Sequence, residues 1–480
     1  MRENPTPVQW KKHVSLLGVL LLLFSAGPYI SRPPWFDESL TLDWLVFPIY
    51  EIPFRYVIPN NHIFYTLCLS LWENLLNLFG LHEILYFRIL SLIFGCCAVW
   101  IIARRMNRAV GLYANLPVLI LFSASAPMIL FSTALRGYIP ALLFSFAAFL
   151  TAESWMKRKP AKHFLLYFIF CYLSVLTIPT NLLSIGAGLL FLLPLGLRSK
   201  KEFFRLVRLG LIALCAMAAA YLPILRKFLK VAQINEGWYS YSDFLWNYYG
   251  TMLFIFIPIL LFCLIGMFRL PLKKYLRWRF FSFTAIFLTP LMFGFLFQSA
   301  PFPRVFFPLL GLLTLIFGYL LSGYLRGRKG FFKYLPLLCS VLWILAMPHI
   351  LPTVSVKMFG AHYRDDLLLP YPMSQEFRPH TVAKVVTEAY SQGRIEFVYI
   401  DFDADPPSLT IQFMNLNYPF ERILRDHPKH GPVPFLPQGT WIICRDEQGF
   451  QHLKNRFLLT ENYRVLEETS GLYQKIYVPE

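Results

Sequence analysis

Apolar runs of about 17 to 23 residues, each long enough to cross a hydrocarbon core as a helix, recur from the N-terminal region to Ile350. Their repetition makes the bilayer the solvent for most of the chain. The composition agrees: of 480 residues, 56% are hydrophobic and 15% charged, too apolar a balance for a soluble protein of this size. About eleven candidate spans can be marked, at 14–29, 84–103, 109–131, 138–156, 163–178, 182–197, 207–225, 250–268, 280–297, 305–321 and 334–350. The expected fold is therefore mostly α, a polytopic membrane helical bundle.

The formal charge of +18 raises nucleic acid as a partner. The Lys and Arg residues, however, fall in short clusters between apolar runs: "RRMNR", "KRKPAKH", "RSKKEFFRLVR", "RLPLKKYLRWR" and "YLRGRKG". That pattern is the bias of positive charge toward the cytoplasmic side, and no nucleic-acid partner is expected. Segment 61–80, "NHIFYTLCLSLWENLLNLFG", sets their side. If it crosses, the later clusters face away from the basic N-terminus; if it lies along the outer interface as an amphipathic helix, all of them join the N-terminus in the cytoplasm. We adopt the second arrangement: a multi-pass protein of the cell inner (plasma) membrane with a cytoplasmic N-terminus. "MRENPTPVQWKKH" precedes the first run without a convincing small-residue cleavage site, so 14–29 reads as a retained span.

After Ile350 the chain becomes polar and mixed in charge, with enough length for one small domain. Stretches 395–401, 439–445, 463–469 and 472–478 read as strands, and 381–392 and 447–458 as helices. The expected organisation is a transmembrane domain at 1–350, with its first outer loop at 31–83, and an extracytoplasmic α/β domain at 351–480. Seven of the eight cysteines lie in apolar segments and Cys444 lies in the tail, which gives neither a disulfide framework nor a zinc spacing. The chain has no Asn-x-Ser/Thr acceptor, which leans toward a bacterial membrane.

With this topology, an unusual set of polar residues collects near the outer surface. "PPWFDESLTLDW" puts Asp37 and Glu38 at the start of an amphipathic segment in which Leu40, Trp44 and Phe47 share a helical face. Two readings fit: Asp37 as a helix cap with Glu38 favouring the helix dipole, or a carboxylate that takes a proton from an acceptor hydroxyl at the water–lipid boundary. In "PNNHIFYTL", Asn61 and His62 open the interfacial helix, as structural residues or as substrate contacts. Arg88, Arg136 and Arg304 each border an apolar run; single arginines there snorkel to headgroups, but recurrence on one face favours a shared anion, which the planar guanidinium fork matches when the anion is a phosphate. The loop "NEGWYSYSDFLWNYYG" offers Trp238, Tyr241 and Asp243 in an aromatic belt or as a stacking platform for a sugar or acceptor.

These features together resemble the GT-C superfamily, polytopic glycosyltransferases that use polyprenyl-phosphate sugars, such as protein O-mannosyltransferases and lipid A aminoarabinose transferases. The resemblance rests on the acidic pair Asp37 and Glu38, the Asn61-His62 entry to an interfacial helix, Arg88 to Ser91, Arg136 with Tyr138, and Pro303-Arg304. The chain departs from the family where Ile63 and Phe64 follow His62 in place of two prolines, and where Val305 follows Arg304 in place of tyrosine. The resemblance implies sugar transfer on the outer face from a polyprenyl-phosphate donor to a hydroxyl of a glycolipid, polysaccharide or protein, with inversion. It implies Asp37 as base, Glu38 positioning the sugar or supporting Asp37, Arg304, Arg136, Arg88 and Tyr138 on the donor phosphate, and His62, Asn61, Trp238, Tyr241 and Asp243 near substrate. The expected partners are thus the lipid-linked sugar, the bilayer and the acceptor. No cofactor is assigned, and a divalent cation stays open because two adjacent carboxylates could bind one. A transporter or flippase of a lipid-linked sugar and a noncatalytic scaffold are the competing classes; no two-fold repeat of the transporter kind is evident.

Overall fold

The computed structural model describes residues 7–31, 48–54, 62–81, 83–158, 161–232, 241–269, 288–291, 303–359, 379–401, 418–426, 432–470 and 474–480, with isolated residues at 38, 41–42, 45, 404, 409, 413, 416 and 472. By mutual contacts the chain divides into two compact units. One comprises Met1–Ser31 and Phe47–Leu368, the other Arg32–Val46 and Leu369–Glu480. The stretch that carries Glu38 thus groups with the C-terminal unit.

The first unit is helical. Its elements are α1 (Pro7–Ala26), α2 (Ile63–Asn77), α3 (Ile84–Ala109), α4 (Leu112–Ser123), α5 (Ala126–Ser132), α6 (Tyr138–Arg158) and α7 (Ala161–Thr177). They continue with α8 (Leu182–Gly196), α9 (Lys200–Tyr221), α10 (Leu225–Ala232), α11 (Tyr241–Arg269), α12 (Leu310–Leu325) and α13 (Phe331–Phe359). Five segments are long and apolar enough to cross a membrane, at Ile84–Ala109, Tyr138–Lys157, Pro179–Gly196, Lys200–Lys227 and Arg304–Leu325; a bent pair, α4 with α5, makes a sixth. Shorter apolar helices at His13–Tyr29, Ala161–Thr177, Phe254–Phe268 and Phe331–Ala346 fall on four more of the sequence candidates. The candidate at 280–297 lies outside the described residues except for 288–291. Among the described residues, five or six segments meet the length requirement for a full span.

The candidate at 109–131 is not one straight helix. Its two halves meet at 57°. Pro127 explains the break: its missing N–H and ring are tolerated only in the first turn of a helix, so α5 restarts after Ser125. Helix α12 is the bundle's centre, since 78% of the most apolar window of Arg304–Leu325 is buried, against 33% for Ile84–Ala109 and for Lys200–Lys227. Helix α6 packs on α3, α7 and α8, and the turn at Pro303–Leu309 packs on α6. Helix α2 is absent from both the spans and the shorter apolar helices. It buries Tyr65, Thr66 and Leu69 and exposes Leu71 and Leu75.

The C-terminal unit is a five-stranded sheet in the order β2-β1-β3-β5-β4, where β1 is Val398–Ile400, β2 Ile423–Leu424, β3 Trp441–Cys444, β4 Tyr463–Val465 and β5 Lys475–Pro479. β1 runs parallel to β2 and β3; β5 runs antiparallel to β3 and β4. Alternation along the strands gives each face its own core. Val398, Ile400, Ile443 and Ile476 join Val382 and Val386 of α14 (Pro379–Ser391). Tyr399, Ile442 and Tyr477 join Phe450 and Leu453 of α15 (Glu447–Phe457). All four strands and both helices read from the tail's sequence are present. β2, two residues long, is too short to carry a sequence pattern.

Gly266 of α11 marks the closest helix approach. A Cβ there would come within 2.0 Å of the Leu320 carbonyl oxygen and 2.8 Å of the Tyr324 nitrogen, both backbone atoms of α12. Gly266→Ala should therefore separate α11 from α12 and lower the detergent-solubilised protein's stability by about 1–3 kcal/mol. Gly186→Ala, where a Cβ meets nothing within 4 Å, is the control. Thermal melting in which the two variants behave alike would remove this contact from the account.

Candidate functional site

The triplet Arg136-Gly137-Tyr138 opens α6, and its middle residue lets three elements meet. The Gly137 N–H donates to His62 Nδ1 at 2.6 Å, which ties the start of α2 to the start of α6. A Cβ on Gly137 would sit 2.7 Å from that same nitrogen and 2.6 Å from Thr177 Cγ2 at the end of α7. Only glycine leaves room for this approach. The imidazole stands edge-on to the Tyr138 ring, with centroids 4.9 Å apart.

Tyr138 is the hub. Its hydroxyl accepts from Arg304 Nε at 3.0 Å, and the Arg136 guanidinium lies 5.9 Å from its ring centroid. Phe131 packs against both Tyr138 and Phe307, so the aromatic wall runs from α5 to the turn that carries Arg304. Tyr248 of α11, fully buried, packs on Phe306 beside it. Arg136 and Arg304 are 2% and 4% exposed. Two buried guanidinium groups this near one another suit an anion with several oxygen acceptors.

The same two cations act on His62. Because its Nδ1 accepts a hydrogen bond, the ring is the neutral Nε2–H tautomer. Burial first, then Arg136 and Arg304, hold its pKa well below the ordinary value of 6.5.

Arg88 is also fully buried but has a different anchor. Its Nη1 donates to the Ile30 carbonyl at 2.9 Å, just beyond the end of α1. One turn later, Ser91 donates to the Ala134 carbonyl at 2.6 Å and receives the Tyr65 hydroxyl at 2.7 Å. Ser91 thus joins α3 to the backbone ahead of Arg136.

Of the sequence candidates, the structure brings His62, Arg136, Tyr138 and Arg304 together. Glu38 is buried, as is Thr41, within a stretch that groups with the other unit. Asp37, Asn61 and Trp238, with Leu40, Trp44 and Phe47, lie outside the described residues, as do the side chains of Tyr241 and Asp243. Among the described residues, no three His, Cys, Asp or Glu side chains gather as a metal site would need. Sequence reasoning missed Gly137, Thr177 and Phe131. The glycine inside the Arg-x-Tyr triplet was the available signal, because glycine between two large side chains at a helix start marks a close approach.

No protein-family profile matches the sequence, and no characterised protein matches it. Solved structures do. ArnT from Cupriavidus metallidurans bound to undecaprenyl phosphate aligns with a TM-score of 0.56 at 13% identity, covering 98% of each chain. ArnT from the same organism in the apo state aligns with a TM-score of 0.54 at 14% identity, again over 98% of each chain. The fold is that of these ArnT structures. At this identity the likeness is one of architecture, and it spans the helical unit and the small sheet alike.

The His62 contact predicts a pH signature. A histidine held neutral in the folded protein takes up a proton on unfolding, so stability should be unchanged above about pH 6.5 and fall as pH drops below it. His62→Asn keeps an acceptor at the δ position without a titrating ring. Melting curves between pH 7.5 and 5 should be flatter for His62→Asn than for the wild type. Parallel curves would show that His62 does not carry the effect.

Proposed function

We propose that this chain is a membrane glycosyltransferase that moves a sugar from a polyprenyl-phosphate donor to a hydroxyl of a glycolipid, polysaccharide or protein on the outer face of the cell inner membrane. The observation that carries the reading is the convergence of two buried guanidiniums, Arg136 and Arg304, on Tyr138. The likeness in fold to an ArnT structure that holds undecaprenyl phosphate supports the choice of donor. The proposal includes the topology read from the sequence: about eleven spans, a cytoplasmic N-terminus and an extracytoplasmic C-terminal domain.

In this reading the acceptor oxygen attacks the anomeric carbon while its proton passes to the Asp37 carboxylate, with Glu38 supporting that base. The bond from the anomeric carbon to the phosphate oxygen breaks, and its electron pair leaves with the polyprenyl phosphate. Negative charge grows on the phosphate as the bond stretches. Arg136 and Arg304, with Arg88 near them, stabilise that growing charge from positions already fixed by packing. Tyr138 holds Arg304 by its hydroxyl, and the neutral His62 holds Tyr138 edge-on. A single displacement inverts the anomeric centre.

Asp37→Asn should lower transfer by about 10²–10⁴-fold in proteoliposomes supplied with the host's lipid-linked sugar pool, at wild-type protein levels. Turnover close to wild type would refute the base assignment. Arg304→Ala should raise the donor KM, lower kcat, or both, by at least about tenfold; no change in either removes Arg304 from the site. Mass spectrometry of envelope glycolipids and glycoproteins from cells with and without the intact protein should reveal a missing sugar. Identical glycan profiles would count against transfer altogether.

A further inference from the structure

The opposite end of the same two helices carries a second concentration of charge. From Arg88 to Arg104 along α3 is about 24 Å at about 1.5 Å per residue, most of a bilayer's hydrocarbon thickness. There, α3 and α6 enclose a cavity of about 650 Å³ whose lining includes Trp100, Arg104, Arg105, Arg108, Glu153 and Lys157. Four cations face one carboxylate.

That carboxylate is already compensated. Arg105 grips Glu153 in a bidentate pair, Nε to Oε2 at 2.9 Å and Nη2 to Oε1 at 2.7 Å, which bolts α3 to α6. Lys157 reaches the same carboxylate from one turn along α6, also at 2.7 Å. Arg104 and Arg108, both exposed to solvent, have no acidic partner among the described residues. They stand four residues apart on one face of α3, about 6 Å along its axis, so their guanidiniums can flank a single phosphate. Trp100 continues that face by one further turn toward the apolar stretch of the helix, and Leu150 lines the cavity from α6. Tryptophan favours the level of the headgroups. A solvated topology signal would need neither a cavity nor a rigid wall.

We propose that this cavity is a binding site for an anionic glycerophospholipid, with Arg104 and Arg108 on its phosphate and an acyl chain against Trp100. The occupant is a lipid, not a soluble anion, because the cationic rim passes directly into an apolar wall of Trp100, Ile101 and Leu150, and basic pockets between membrane helices recognise acidic headgroups. On the topology read from the sequence, the lipid belongs to the cytoplasmic leaflet. The site is independent of the Arg136 and Arg304 cluster and of the transfer reaction proposed for it.

Native mass spectrometry of the purified full-length protein, titrated with phosphatidylglycerol and with phosphatidylcholine, tests this. The wild type should retain phosphatidylglycerol with at least about tenfold preference, and R104Q/R108Q should reduce the preference below about twofold. Ser154 lines the same cavity. Ser154→Glu, which adds a negative charge without removing an arginine, should have the same effect and is read in place of the double variant if that variant fails to fold. Equal retention of the two lipids, or a preference that survives in the folded variant, would overturn the proposal. Displacement of phosphatidylglycerol by glycerol 3-phosphate at equal concentration would also overturn it, since a soluble anion would then suffice.

Discussion

Removing a guanidinium from water costs several kcal/mol unless its hydrogen bonds and charge are met locally, and among the described residues three are buried, at Arg88, Arg136 and Arg304. All three sit at the starts of helices: one turn into α3, immediately before α6, and in the turn that leads into α12. A helix start is the positive end of its dipole, so a cation there is opposed by the backbone as well as by desolvation. The structure meets part of that cost with neutral acceptors: the Ile30 carbonyl for Arg88 and the Tyr138 hydroxyl for Arg304. Burial, reinforced by the same positive field, keeps a proton from His62. A bound anion would relieve all of these terms together, which is why the proposed function places the donor phosphate there.

The packing that holds this arrangement is specific in a way that hydrophobicity alone is not. Leu and Phe fill the bundle, and many of them could be exchanged at little cost. Gly137 cannot, because the His62 ring and the Thr177 methyl occupy the space a Cβ would take. Gly266 has the same role between α11 and α12, where the contact is with backbone that has no rotamer to yield. Helices in a bilayer gain little from apolar contact beyond what lipid already offers, so close approach at small residues is a main source of specificity. The two glycines lie at different depths of the unit, one at the site and one in its support.

Much of this was legible in the sequence, for physical reasons that differ by region. Apolar runs gave the spans because the bilayer imposes one length on them, and α3, α6 and the helix at Arg304–Leu325 appear where the runs predict. The strands and helices of the tail were equally plain, because alternating β-branched and aromatic residues at 395–401 and 439–445 leave few other solutions. The bend between α4 and α5 was missed although Pro127 was in view, since hydropathy is blind to backbone hydrogen bonding. At the site, Arg136, Tyr138 and Arg304 could be named from their borders with apolar runs, but which arginines meet could not. That depends on the His62 to Gly137 contact, 75 residues apart, which no local period encodes. For the same reason Arg88, an equal of the other two in sequence, proves to be tied first to the end of α1.

Comparing the two ends of α6 shows how the same residue type is put to different use. At the far end, Glu153 absorbs Arg105 and Lys157 in a compact ion pair that fastens α6 to α3, an arrangement that is stable with nothing bound. At the near end, Arg136 lies beside the face of Tyr138 and Arg304 donates to its hydroxyl, contacts that orient the two cations. A carboxylate in the place of Tyr138 would satisfy the guanidiniums better in the resting protein and compete with any phosphate that approached. Tyrosine orients the cation without adding a competing negative charge of its own, which suits an anion site whose ligand must also depart.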